Sequence, residues 1–577
     1  MSVGTAFQSV LRRWLKHSNA DRFEAATRWP GAAQREKLAQ ILARNARTGF
    51  GDRHRFDRIR SVEDYRTAVP PNTYETLAPW IERVTAGERN VLTADDPLLF
   101  ATTSGTTGAA KYIPVTPSYL AEYSHGIHVH TYGLFADFPD ILEGRVLVSS
   151  SNDEEGRTAG GVPYGAISGY LTRTQPGVLR RFFVVPYDVC RIKDIEAKYY
   201  LTLRHALAAD VRSIVTPNPS SLLLLAEAMR THADDLIEDI RRGTVNPAYL
   251  PSGAADPAGP GAGRATAGLT AGLAANPRRA AELAACRRAT GRLLPAEAWP
   301  NLRVISCWKG GTMPLYLRKL PEHFGDVPVR DLGYMATEGR GATPLRNSGA
   351  AGVLNVTSHF FEFVPVSERD DPRPAFLTAE ELEVDREYFV YLTTSAGLYR
   401  YDVNDIVRVV DFHRQTPVIE FVRKGQGISS ITGEKLTEAQ MTAALLDVVE
   451  QGGYDVDHVT ACVEWGEPPG YALYCEASQP WTGERSRQFL QALDGALSVR
   501  NIEYESKRAS RRLGMPVLKW VAPGSFTALR QQRVAAGAPE AQVKIPHLSP
   551  DLRFGEQLRV VEEYRFDPRD AGSAIGR

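Results

Sequence analysis

From Leu98 onward, short β-rich runs alternate with helical stretches, and this alternation constrains the fold more than any other feature of the chain. The runs are Leu98-Leu99-Phe100, Val146-Leu147-Val148, Phe182-Phe183-Val184-Val185, Ile214-Val215 and Val304-Ile305-Ser306. Helical patterns lie between them, over 195–208 and over 222–229, the second with Ser220 as its cap. Strands and helices taking turns predict an α/β domain with a largely parallel sheet, because parallel neighbours need a crossover of helix length. At Phe360 the pattern changes. Phe361-Glu362-Phe363-Val364, Tyr388-Phe389-Val390-Tyr391-Leu392, Ile406-Val407-Arg408-Val409-Val410 and Val418-Ile419-Glu420-Phe421 predict an antiparallel subdomain.

The 577 residues exceed one compact core, so more than one domain is expected. Residues 20–90 read as mostly helical. Lys424-Gly425-Gln426-Gly427 follows a strand pattern and has the composition of a hinge. Beyond it a small, mobile α+β unit is expected, with helices near 437–449 and 485–497 and strands near 459–462 and 471–474. The expected division is a large domain over 1–423 and a small C-terminal domain over 424–577. Residues 251–277 carry much Gly, Ala and Pro and only two charges, Asp256 and Arg264, which predicts a mobile surface excursion with little to bury, a functional lid being the alternative.

Lys plus Arg and Asp plus Glu both number 68, so the net charge is zero and nothing electrostatic favours a nucleic acid. The five cysteines are far apart and form no CxxC pair, against a zinc site, and their odd number is against a full disulfide set. A reducing cytoplasm is the expected compartment. No run of 18 apolar residues is present, so no membrane span is expected. Ala6, Phe7, Val10, Leu11, Trp14 and Leu15 recur at helical spacing opposite Arg12, Arg13 and Lys16, which predicts an amphipathic helix packed on its own domain, with an interfacial membrane helix as the alternative.

Two segments carry the chemistry. Thr102-Thr103-Ser104-Gly105-Thr106-Thr107-Gly108-Ala109-Ala110-Lys111 is a hydroxyl- and glycine-rich turn closed by a lysine. Small residues let backbone N–H groups approach a phosphate, and the lysine adds positive charge. A Walker loop is excluded: Gly105 and Gly108 are three apart, and Lys111 precedes Tyr112 rather than Ser or Thr. The turn follows an apolar strand and Tyr112-Ile113-Pro114-Val115 resumes extended structure, so a strand–loop–strand hairpin is expected. The second segment is Gly333-Tyr334-Met335-Ala336-Thr337-Glu338. It offers an exposed aromatic face, a hydroxyl and, at a strand end, a carboxylate fit for magnesium.

A third candidate is Gly397 to Ile406, where Asp402 and Asp405 compete as acceptors for two ribose hydroxyls. Lys544, in Ala541-Gln542-Val543-Lys544-Ile545-Pro546, lies on a short loop near the C-terminus. His125, His128 and His130 follow the first turn on a helical segment. Helical spacing of two places neighbours on different faces, so they read as ordinary polar positions rather than a metal site or a base.

In this order, these segments resemble the Gretchen Hagen family of acyl-acid amido synthetases, part of the wider adenylate-forming superfamily. The likeness runs from Val69 to Pro546. It includes Val69-Pro70-Pro71-Asn72-Thr73-Tyr74-Glu75, Pro79-Trp80-Ile81, Thr216-Pro217-Asn218-Pro219-Ser220, Trp299-Pro300-Asn301, Phe360-Phe361-Glu362-Phe363, Leu398-Tyr399-Arg400-Tyr401 and Gly433-Glu434-Lys435.

The resemblance implies ATP and magnesium as cofactors, and a carboxylic acid and an amine, usually an amino acid, as substrates, in a monomer. It implies that Thr103, Ser104, Gly105, Thr106, Thr107 and Gly108 hold the phosphates with Lys111. Gly311 and Tyr334 would border adenine, Thr337 would meet the reacting oxygens, Glu338 the metal and Asp405 the ribose. Arg423 would sit at the domain junction near the nucleotide, and Lys544 would assist adenylation. The chain departs from the family where Asn404 stands for the usual glycine, where Lys544-Ile545-Pro546-His547 replaces Lys-Thr-Pro-Arg, and at Cys307-Trp308-Lys309-Gly310. Two alternatives remain open from sequence: a thioester-forming ligase, and a nucleotide-binding protein without turnover.

Overall fold

The computed structural model of the protein describes residues 3–103, 111–250, 268–311, 313–369, 371–425, 427–477, 480–535 and 545–566. The chain falls into two compact units, Met1–Thr102 with Tyr112–Arg423, and Thr103–Lys111 with Lys424–Arg577.

Among the described residues, the first unit holds three sheets. One is parallel throughout, with strands Arg145–Val148, Val211–Val215, Val304–Ser306 and Val329–Arg330 in that order. Its apolar runs are buried, with Val211 and Val304 fully so, as a sheet covered by helices on its faces requires. The expected strand at Phe182–Val185 does not form. That stretch is a turn touching the sheet through one bridge, Val146 to Phe183, and its rings pack as side chains instead. The helix after Val215 also starts differently from expectation. It spans Ser220–Thr231, and Asn218 rather than Ser220 supplies the turn acceptor, its Oδ1 taking the Ser220 N–H at 2.9 Å.

A second sheet pairs Leu99–Thr103 with Lys111–Val115 and, on the other side, with Pro163–Gly165. Leu99 and Phe100 are buried, so the hairpin rests on the core. Thr116 then caps the Pro117–Asp137 helix by accepting the Tyr119 N–H, and Pro117 at the first turn has no N–H to leave unsatisfied. The third sheet is six-stranded and antiparallel wherever its pairings are described, as Phe360 onward predicts. Its order is Phe360–Pro365, Glu387–Thr393, Tyr401–His413, Thr416–Lys424, Gly352–Leu354 and Ala342–Thr343.

The N-terminal helix, Val3–Leu15, buries Leu15 and packs Phe7 and Leu11 into a cluster with Leu134, Phe135 and Phe182. It is thus a helix of its own domain, although Val10 and Trp14 stay exposed. No helix of the described residues is long and apolar enough to cross a membrane.

The second unit has a five-stranded mixed sheet in the order Leu548–Ser549, His458–Glu464, Gly470–Glu476, Val517–Val521 and Val560–Tyr564. Helices Glu438–Gly452 and Gly483–Arg500 cover it, burying Met441, Leu445, Phe489 and Leu493.

Candidate functional site

The Tyr334 and Asp405 segments meet in the first unit. The Tyr334 hydroxyl donates to Asp405 Oδ2 at 2.8 Å, and both residues are buried. Tyr334 therefore is not the exposed aromatic face read from sequence. Its hydroxyl needs the acceptor that the Tyr401–His413 strand brings, and satisfying it inside the core costs the ring its exposure. Burial, then the Asp405 charge, pushes the Tyr334 phenol well above its ordinary value.

Asp402 and Asp405 have different partners. Asp402 is engaged elsewhere: Arg369 forms an ion pair with it, and it accepts the Asn404 N–H at 2.8 Å. Asp405 is the one that reaches the Tyr334 segment. Asn404 between them has φ +55°. Glycine is free to adopt that left-handed conformation and asparagine is the side chain that best tolerates it. Asn404 takes this conformation inside the Tyr401–His413 strand, where the pairing with Glu387–Thr393 shifts register between Asp402 and Ile406.

The ring beside Tyr334 comes from a residue that the sequence pattern marks only as a strand position. Phe421 is half-buried and lies nearly parallel to Tyr334, with ring centroids 6.2 Å apart and 11° between planes. Gly311, with φ +62°, abuts it: a Cβ there would stand 3.2 Å from Phe421 Cε1. Gly311 and Tyr334 are therefore brought together, with Phe421 between them. The alternation of the 418–421 run was the only sequence signal, and it does not distinguish a ring facing a site from a ring in the core.

Glu338 is not at a strand end. It occupies the tip of a tight turn, in which Ala336 N donates to Gly339 O at 2.8 Å and Met335 bridges Arg340. The side chain is buried, and Oε2 has no hydrogen-bond partner among the described residues. A buried carboxylate oxygen left unpaired costs roughly 1–3 kcal/mol or more. Thr337 beside it is half-buried, and its carbonyl accepts the Tyr119 hydroxyl at 2.7 Å.

Arg423 lies in the Thr416–Lys424 strand, its side chain 45% exposed and 3.9 Å from Glu387. Thr103 closes one hairpin strand and Lys111, half-buried, opens the other. Ser104, Gly105, Thr106, Thr107, Gly108 and Lys544 lie outside the described residues, as does Gln426 of the expected hinge. The residues following position 544 are held to the second unit's sheet. Pro546 O accepts the Thr460 hydroxyl at 2.8 Å, and the departed residue His547 donates its N–H to Glu438 at 2.9 Å and pairs Nδ1 with Val459 O at 2.8 Å.

Several family-like segments turn out to be scaffold. Arg400 is buried, with Nε 2.8 Å from Glu362 Oε2 and Nη1 2.9 Å from Val69 O. Asn72 bonds the backbone on both sides of Tyr401. Together they tie the Val69, Phe360 and Leu398 segments into one block that carries Asp405. In the second unit, Glu434 is consumed by its own turn, accepting from Ile431 N, Thr432 N and the Tyr471 hydroxyl.

Of the three helix histidines, His125 bonds Asn19 at 2.9 Å, and His128 lies edge-on to Trp14. His130 is buried with neither ring nitrogen partnered among the described residues. Burial lowers all three, His125 to about 4 and His130 to about 3. They are neutral polar positions, and the described residues hold no cluster of three or more side chains fit for a metal.

Comparison with known proteins agrees along nearly the whole chain. The GH3 family N-terminal domain matches residues 19–329, the central domain 352–424 and the C-terminal domain 437–553. The probable indole-3-acetic acid-amido synthetase GH3.4 of Oryza sativa subsp. japonica is 27% identical, over 94% of this chain and 89% of that protein. The indole-3-acetic acid-amido synthetase GH3.3 of Arabidopsis thaliana is 25% identical, over 93% and 94%. Among solved structures, the GH3.15 acyl acid amido synthetase shares the fold with a TM-score of 0.62 at 22% identity, covering 94% of this chain and 95% of that one. The N-terminal match alone spans more than half of the 577 residues, and the chain belongs to the GH3 family.

Proposed function

We propose that this protein is an ATP-dependent acyl-acid amido synthetase that activates a carboxylic acid as its acyl-adenylate and passes the acyl group to an amino acid. It is an amide-forming ligase, as its named relatives are. The observation that carries the proposed site is the buried Glu338 carboxylate, whose Oε2 lacks a partner in the same unit as the Tyr334–Asp405 pair. An orphaned carboxylate oxygen fits magnesium, which takes oxygen ligands and generally only one or two protein carboxylates.

In this reading Thr103, Ser104, Gly105, Thr106, Thr107 and Gly108 cradle the phosphates, with Lys111 supplying charge. Adenine lies against Gly311 and Phe421, with Tyr334 behind; Asp405 accepts from the ribose, and Arg423 stands near the nucleotide at the junction of the large domain, 1–423, with the small one, 424–577. Thr337 meets the substrate carboxylate. That carboxylate attacks the α-phosphorus, the bond to pyrophosphate breaks, and pyrophosphate leaves. The free acid is a poor electrophile because its leaving group would be oxide; the mixed anhydride offers AMP instead. Lys111 and Lys544 offset the negative charge that develops on the phosphates. Magnesium on Glu338, when bound, adds to that offset. The small domain then moves about residues 424–427, and the neutral amine attacks the carbonyl carbon, losing a proton as AMP departs.

The reading is tested by ATP–pyrophosphate exchange over a panel of aryl, indolyl, fatty and hydroxy acids. Indole-3-acetic acid comes first because relatives are named for it. A screen of amino acids with mass detection follows. Product that appears only with coenzyme A would replace the reading with a thioester ligase. ATP binding without exchange for any acid would replace it with a silent nucleotide-binding protein. The five cysteines are free, the state a reducing cytoplasm maintains, and we place the enzyme there as a monomer, testable by fractionation and light scattering.

A further inference from the structure

We infer that Glu122 and His359 are positioning residues for the magnesium site, acting through the backbone of the turn that carries Glu338. The inference rests on the reading of Glu338 given above. The turn is gripped on both sides of Glu338. On one side the Tyr119 hydroxyl donates to Thr337 O at 2.7 Å. On the other, Arg340 N lies 3.2 Å from His359 Nε2. A backbone N–H can only donate, so Nε2 is an acceptor and the ring proton sits on Nδ1.

That Nδ1 lies 3.3 Å from Glu122 Oε2, within ion-pair distance but without hydrogen-bond alignment. Glu122 is fixed in turn by the Ser395 hydroxyl at 2.6 Å and by Lys37 Nζ at 3.4 Å. Burial pushes the Glu122 carboxyl up, but His359, Lys37 and Ser395 outweigh it and hold it below its ordinary value. A carboxylate charge 3.3 Å from Nδ1 favours the ring proton on that nitrogen, the tautomer that the Arg340 N–H requires.

The packing leaves the turn little room to shift. His359 is fully buried and stacks on Tyr119, with centroids 5.8 Å apart and 20° between planes. A Cβ on Gly339 would stand 3.2 Å from His359 Cδ2 and Nε2 and 2.9 Å from Leu392 Cδ1, so the ring lies directly beneath the turn. Tyr119 and Glu122 are three apart on the Pro117–Asp137 helix and so share a face. That helix begins directly after the hairpin strand opened by Lys111. One rigid element thus connects the strand leaving the proposed phosphate loop to the turn carrying the proposed metal ligand.

Hydrogen exchange and Mg-ATP calorimetry on His359→Leu and His359→Gln test this. Gln can place an amide oxygen where Nε2 stood, whereas Leu cannot. In His359→Leu the Arg340 amide should exchange faster. Mg-ATP affinity should fall about 10- to 100-fold, while ATP affinity in EDTA stays unchanged. His359→Gln should recover most of both. The inference is overturned if folded His359→Leu binds Mg-ATP as the unmodified protein does, or if Gln rescues no better than Leu. Should His359→Leu fail to fold, Glu122→Gln keeps shape and an acceptor but loses the charge. It should move both readouts the same way by less, and unchanged readouts would overturn the inference. If the unmodified protein binds ATP no better with magnesium than without, the reading of Glu338 fails, while Arg340 exchange still decides whether His359 holds the turn.

Discussion

The Tyr334 hydroxyl and the Asp405 carboxylate are joined across 2.8 Å although 71 positions separate them in the chain. The bond fixes the orientation of an acidic side chain at the edge of the proposed ribose site. Tyr334→Phe removes the donor and keeps the ring. Loss of a hydrogen bond to a charged group costs about 1.5–3 kcal/mol. Urea denaturation should show a loss of that size, and calorimetry should show weaker ATP binding. A midpoint and an ATP affinity both equal to those of the unmodified protein would mean the pair does neither job.

Glu338→Gln is the sharpest test of the proposed metal site. The substitution keeps size and lets an amide occupy the buried pocket, so circular dichroism and melting temperature should be nearly unchanged. Pyrophosphate exchange should fall to background with every acid. Full exchange in the folded variant would reject the metal role, because an amide oxygen cannot replace a charged magnesium ligand here.

The architecture was legible where local pattern decides it. Val211–Val215 and Val304–Ser306 read as buried parallel strands because they are short apolar runs between helical stretches, and they pair that way. Phe182–Val185 read the same way and failed, since apolar residues serve equally well as packing under a turn. The site was legible only as separate segments. That Tyr334 meets Asp405, or that Arg340 meets His359, is a long-range pairing with no local signature. Burial of Tyr334 was missed for the same reason: its need for an acceptor is visible in sequence, but the acceptor's location is not. Glu122 gave no signal, because a lone carboxylate on a helix is ordinarily solvated.

Asn404 has φ +55°, a left-handed conformation that glycine adopts freely and asparagine tolerates. Asn404→Gly should be close to neutral in stability and in ATP affinity. Asn404→Val should cost about 1–2 kcal/mol, since a β-branched side chain is least at ease in the left-handed region. The strain falls one residue before Asp405, so ATP affinity should drop with stability. Equal melting temperatures for the Gly and Val variants would show that the conformation carries no such constraint.

Arg400 and Glu362 form an ion pair with side chains 3% and 1% exposed. Removing one partner of a buried pair leaves the other charge uncompensated, at a cost of about 3–5 kcal/mol. Arg400→Leu should show that loss in denaturant melts. Arg66, 21% exposed and 3.0 Å from the other Glu362 oxygen, offers only partial compensation, and Arg66→Ala should cost less. A larger loss for Arg66→Ala would reverse this assignment of which arginine holds the block together.

His130 gives the protein a definite acid sensitivity. Burial, with Arg340 and Arg330 nearby, lowers it from 6.5 to about 3 in the folded chain. The unfolded chain takes up a proton near 6.5 and the folded chain does not until about 3. Between those values the unfolded state binds more protons, so stability falls as pH falls. The contribution is whole above 6.5 and is lost progressively toward 3, with a ceiling of about 5 kcal/mol from that gap. His130→Leu removes the titration together with two unpartnered ring nitrogens. At pH 7 the variant should be about as stable as the unmodified protein or slightly more so. At pH 4.5 it should be clearly the more stable of the two, and the difference between their denaturation free energies should widen with each step down in pH. His125 and His128 titrate alike in both proteins, so they cancel from that difference. A difference that stays flat from pH 7 to pH 4 would show that His130 is not held neutral by the fold.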